Sequence, residues 1–202
     1  MLEKDTNIVY NDIQKRGIYM FSFYKNNLDA ISKLFVNQLG MTIFGHLMFA
    51  ATFKTDIRIA TGVLSALFYL YLIYCTGWEV GAKDRIKIDG GRMDECKHKG
   101  FLLGIAANGI YIFLSLVNLA FAALGSFVDW AESVSAIAYT FSTLLNGMYT
   151  SFFTSFEALI HKYIVLAIFV LPAIIVTGLS YIAGSKNFRI LVFLGLSKGP
   201  RK

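Results

Sequence analysis

Proline is nearly missing from this chain, with Pro172 and Pro200 the whole complement in 202 residues, and cysteine is as scarce. Cys75 and Cys96 are too few for a disulfide framework. Charge is missing in long blocks. Leu34–Phe53 has one histidine and no charged residue, and Ile59–Trp78, Phe101–Phe127 and Tyr163–Gly184 lack Asp, Glu, Lys, Arg and His altogether. A soluble domain of this size alternates apolar and polar positions, because much of its surface faces water. These runs exclude that design. Lys and Arg are also absent between Gly100 and His161. No internal repeat is visible, which removes support for an inverted-repeat transporter. A cleavable signal peptide is not expected, since the first apolar run begins about thirty residues in and exceeds an h-region in length.

What is present is 56% hydrophobic residues gathered into runs near the ~20 residues that cross a bilayer as a helix. Lipid cannot hydrogen-bond the backbone, and a barrel would alternate in hydropathy, so the spans are expected to be helical. The chain reads as an all-α integral membrane protein with four spans, at about 34–53, 59–79, 101–126 and 162–183. They form one transmembrane domain over 34–184, with an interfacial segment 1–33 before it and a basic tail 185–202 after it. The loop 80–100 holds six Lys or Arg residues within Gly81–Gly100, and the tail holds five. By the positive-inside bias both are cytoplasmic, as are both termini, and the outer segment 127–161 faces away. The formal charge of +6 is explained by these loops, so no nucleic-acid partner is expected.

Two amphipathic stretches flank this core. Phe21, Tyr24, Leu28, Ile31 and Phe35 recur at helical spacing, which suggests a helix lying in the interface. Within 131–156, Val134, Ile137, Phe141, Leu144 and Met148 make a narrow apolar stripe. The favoured reading is an outer-face amphipathic helix that leaves Ser135 open to reagents from outside. A re-entrant segment and a fifth span are the alternatives, and a fifth span would carry the basic tail outside.

Gln38, Thr42 and His46 are four apart and share one face of span one, while Asn108, Ser115 and Asn118 trace a stripe on span three. Together they form a candidate polar seam on which spans one and three would meet. An ionisable group near mid-span is costly unless paired, so His46 reads either as interhelical glue or as part of a proton path. Gly100 and Gly104 form a G-x-x-x-G pair suited to close helix packing.

The inner loop carries Asp84, Arg85, Asp89 and Arg92 as candidate ion pairs. Asp89-Gly90-Gly91-Arg92 followed by Gly100 resembles the opening of the CDP-alcohol phosphotransferase signature, whose carboxylates hold catalytic metal ions. Here the downstream acidic positions are Gly104 and Asn108, which removes the oxygen ligands a hard cation needs. Gly81, Asp84, Arg85, Gly91 and Arg92 also resemble the loop between helices two and three of major facilitator transporters, with several residues inserted. Cys96 and His98 are too few ligands for a tetrahedral zinc site. No H-E-x-x-H, Ser/His/Asp arrangement or phosphate-binding glycine loop occurs.

The expected role is a non-enzymatic subunit or accessory of a membrane assembly in the plasma membrane of a bacterial-type cell, with no cofactor. Its expected partners are the lipid bilayer and other membrane subunits or further copies of itself. A small oligomeric transporter or channel using the seam through His46 is the alternative. A lipid-modifying membrane enzyme working from the Asp84/Asp89/Arg92 loop is the third.

Overall fold

The computed structural model describes residues 20–125, 127–151 and 162–188, excluding the side chains of 129 and 162–167. Residues 1–19, 126, 152–161 and 189–202 lie outside the described residues, and with them most of the N-terminal segment and of the basic tail. All regular structure among the described residues is helical. Residues 20–26 form a short helix. After a break at Asn27 come α1 (Leu28–Thr52), α2 (Arg58–Asp89), α3 (Lys99–Ala107), α4 (Gly109–Leu124) and α5 (Asp129–Leu145). A 3₁₀ turn at Gly147–Tyr149 and α6 (Lys162–Ser185) follow.

Three helices are long and apolar enough to cross a membrane, namely α1, α2 and Ile168–Ser185 of α6. The count is four if α3 and α4, bent by 64° at Asn108, form one broken span. At ~1.5 Å rise per residue, the 32 residues of α2 extend about 48 Å, well beyond a ~30 Å hydrocarbon core. The helix therefore does not stop near residue 79, as the hydropathy suggested. It continues to Asp89, and the loop proper is only 90–98.

Burial runs opposite to that of a soluble bundle. On α1, Gln38 and Thr42 are buried whereas Val36, Ile43 and Leu47 are exposed. On α4, Tyr111, Ser115 and Asn118 point inward and Ile110, Phe113 and Leu116 outward. Helices in lipid gain nothing by hiding apolar side chains, so small and polar residues take the interfaces where they pack and bond.

The helix α1 runs antiparallel to α2. Asn37 Nδ2 donates to Thr76 Oγ1 at 2.9 Å and, near the opposite end, Thr52 and Thr61 hydroxyls lie 3.0 Å apart. By contrast α2 runs parallel to α6, pairing Gly77 with Thr177 and Ser180, and Gly81 with Tyr181 and Ser185. Their backbones approach so closely that a Cβ on Gly81 would meet the Tyr181 carbonyl oxygen, and one on Gly184 the Trp78 carbonyl. The third member of this core is α3: Gly100 lies on Tyr181 and Gly178, and a Cβ at Gly104 would stand 3.0 Å from Ile174 Cα.

A hairpin of α4 and α5 covers the flank, with Ser135 Oγ donating to Asn118 Oδ1 at 2.9 Å. Trp130, Ile137, Phe141 and Leu144 of α5 face outward, while Ala131, Ser135, Ala138 and Ser142 are buried. Most of the expected apolar stripe is therefore a real face, but Ser135 is buried at 1% exposure rather than open to solvent. Met148 leaves the stripe because the chain turns at Asn146, which puts it in the core. The stripe before span one also divides, with Phe21 and Leu28 exposed and Ile31 buried.

Candidate functional site

Span one's polar face meets the turn that ends α5. The Thr42 hydroxyl donates to the Leu145 carbonyl at 2.6 Å, and His46 Nε2 donates to the Leu144 carbonyl at 2.7 Å. Those carbonyls are available because a helix leaves its last four without intrahelical partners. Two glycines let the elements close: a Cβ on Gly45 would strike the Gly147 carbonyl, and one on Gly147 the Thr42 carbonyl and the His46 ring. Beyond the turn, the Tyr149 ring packs between Tyr69 of α2 and Phe169 of α6, at centroid distances of 6.1 and 4.8 Å. The end of α5 thus lies level with the middle of α1, within the bundle.

Tyr111 of α4 lies against Thr42 of α1, but the other bonds of the expected seam go elsewhere. Thr42 and His46 bond to the turn after α5, and Asn118 bonds to Ser135 of α5. Asn108 folds its amide onto Gly104 of its own helix at 2.8 Å. It marks the break between α3 and α4 rather than a contact with span one. Gln38 and Ser115 are buried.

The charged loop is rearranged in a similar way. Arg85 bonds Asp89 at 2.8 Å along one exposed helix face. Asp84 takes neither Arg85 nor Arg92. It is 2% exposed and accepts from Lys99 Nζ at 2.7 Å, from the Tyr181 hydroxyl at 3.1 Å and from Lys87 Nζ at 3.4 Å. One carboxylate thus ties α2, α3 and α6 together. Sequence reasoning missed Lys99 and Tyr181, which lie in different runs from Asp84. Arg92 closes the turn after α2, where Gly91 adopts φ +65°.

Asp84 and Lys99 form part of the wall of a cavity of about 580 Å³ at this end of the bundle. Its boundaries are the short helix before α1, the first turns of α1, the end of α2, the loop at Met93–Cys96 and the start of α3. Lys33 and Lys83 both pair with Glu79, Lys33 at 3.4 Å, and these three side chains are about half exposed around the opening. Among the described residues no group of three metal-ligating side chains could hold an ion.

An inverted bundle with three or four apolar helices long enough to cross the bilayer defines a multi-pass α-helical membrane protein. Compared with protein-family models, curated proteins and solved structures, the chain matches none of them.

Proposed function

We propose that this chain is a non-enzymatic subunit of a larger membrane assembly, held in the plasma membrane by four crossings with both termini cytoplasmic. The observation that carries the reading is that several of the intramembrane polar groups bond to the protein itself. Thr42 and His46 hold the turn after α5, Asn37 holds Thr76, and Ser135 holds Asn118. Interhelical bonds of this kind are structural glue. A conduit would need His46 to exchange protons with water, whereas its Nε2 proton is directed to a backbone carbonyl.

The parallel run of α2 and α6 supports an even number of crossings between their shared ends. With the six Lys and Arg residues of 81–100 and the C-terminal end of α6 at one end, the positive-inside bias makes that end cytoplasmic. The helix α5 then re-enters from the outer side, and the turn that ends it rests at mid-depth, closer to a re-entrant element than to a helix lying on the outer face.

Purification in mild detergent tests the reading. The expected result is a partner in fixed stoichiometry whose depletion lowers the amount of this chain in membranes. A chain that purifies alone and, once reconstituted, gives pH-dependent proton or ion flux overturns it in favour of the conduit.

A further inference from the structure

We propose that the cavity beside Asp84 binds the phosphoethanolamine headgroup of a bilayer phospholipid. Four lysines line it, Lys33, Lys83, Lys87 and Lys99, and they share only two paired carboxylates, Glu79 and Asp84. That group therefore carries two excess positive charges, drawn in by two carboxylates and left with donors to spare. An ammonium has three donors, so each lysine can serve a phosphate oxygen while keeping its carboxylate. The same cavity is also lined by Asp29, in the first turn of α1, and Asp94, in the loop before α3. Both are exposed, and neither forms an ion pair among the described residues.

A ligand that satisfies both halves carries a phosphate and a primary ammonium. The ammonium donates to Asp29 and Asp94 and the phosphate faces the lysines. A trimethylammonium group has no proton to donate and fits this arrangement worse. The setting favours a lipid as the source. Lys33 and Glu79 flank two spans at headgroup depth, Phe23, Val80 and Leu102 supply apolar wall, and Phe21 and Leu28 beside it face outward. The volume lies within the range of small-molecule sites, ~300–1,000 Å³. The inference is independent of the subunit reading.

The test uses the full chain in detergent, with native mass spectrometry of retained lipid. The probes are phosphatidylethanolamine, phosphatidylglycerol and phosphatidylcholine of identical acyl chains, and soluble glycerophosphoethanolamine. Phosphatidylethanolamine should bind tightest. Asp94→Asn should weaken it about tenfold and leave phosphatidylglycerol unchanged, as expected for losing one charge-assisted bond. Lys33→Gln should weaken both lipids, and Asp89→Asn, outside the cavity, neither. Both cavity substitutions are at exposed positions, and unchanged melting confirms that each variant folds. Equal retention of all three lipids by the wild type, or indifference to Asp94→Asn, overturns the proposal. Glycerophosphoethanolamine binding as tightly as the lipid overturns the bilayer source.

Discussion

Removing the Asp84 carboxylate should be far more damaging than removing Asp89, although the two lie five residues apart on one helix. Asp84 is 2% exposed, and its main partner Lys99 has a side chain only 14% exposed. In Asp84→Ala the Lys99 ammonium keeps its charge in a confined site without a counterion, and the Tyr181 hydroxyl loses its acceptor. Breaking a buried pair from one side costs about 3–5 kcal/mol. Asp89 and Arg85 are both more than half exposed, and pairs of that kind contribute about 0–1 kcal/mol. The gap of at least about 2 kcal/mol is more than a tenfold difference in the unfolding equilibrium. Titrating the protein in mixed micelles with a denaturing detergent, with helicity followed by circular dichroism, reads it directly. A double variant, Asp84→Leu with Lys99→Met, should recover much of the loss, because the uncompensated ammonium then disappears and only the Tyr181 hydroxyl is left without its acceptor. Equal destabilisation by Asp84→Ala and Asp89→Ala, or a double variant no better than Asp84→Ala, would refute the reasoning.

Three further outcomes are expected. Gly104→Leu should lower the melting temperature in detergent much more than Ile105→Leu, since Gly104 lies against the α6 backbone and Ile105 is exposed; equal melting would deny the close approach. His46→Gln should change stability by about 1 kcal/mol or less, because the amide also reaches a carbonyl acceptor, and a loss of several kcal/mol would mean that His46 does more than donate one bond. In a Cys75→Ser background, cysteine at exposed Glu132 should react with an impermeant thiol reagent in intact cells and native Cys96 should not; labelling of Cys96 from outside would reverse the orientation.

Hydropathy carries the helices because a bilayer demands long apolar runs, and for that reason α1, α2 and most of α6 were legible from composition alone. The inward stripe Tyr111, Ser115 and Asn118 was legible too, since a polar residue in lipid turns toward protein. The break at Asn108 left no trace in hydropathy because the apolar run continues through it. There the Asn108 side-chain amide shares the Gly104 carbonyl with its own backbone N–H, a local bond that hydropathy does not register. The extension of α2 to Asp89 was hidden for the opposite reason. Charged residues beyond a span suggest a loop, yet the Arg85–Asp89 and Glu79–Lys83 pairs are at the i,i+4 spacing that supports a solvated helix.

The partner of a polar stripe is harder to read than the stripe itself. Gln38, Thr42 and His46 announce a face, but helical periodicity holds no information about which element covers it. Here the covering element is the turn at 144–149, whose contribution is backbone carbonyls and two glycine-permitted approaches rather than any side-chain motif. The same limit explains α5. Its apolar stripe fits equally well a helix lying on a membrane and one inserted against a neighbour, and the stripe alone does not decide. The opposite face supports the inserted arrangement: Ala131, Ser135, Ala138 and Ser142 are buried and small enough for α4 to approach closely. A surface helix has no use for that face, since water tolerates side chains of any size there. In a chain of this class, the residues opposite the apolar stripe are therefore the better guide to insertion.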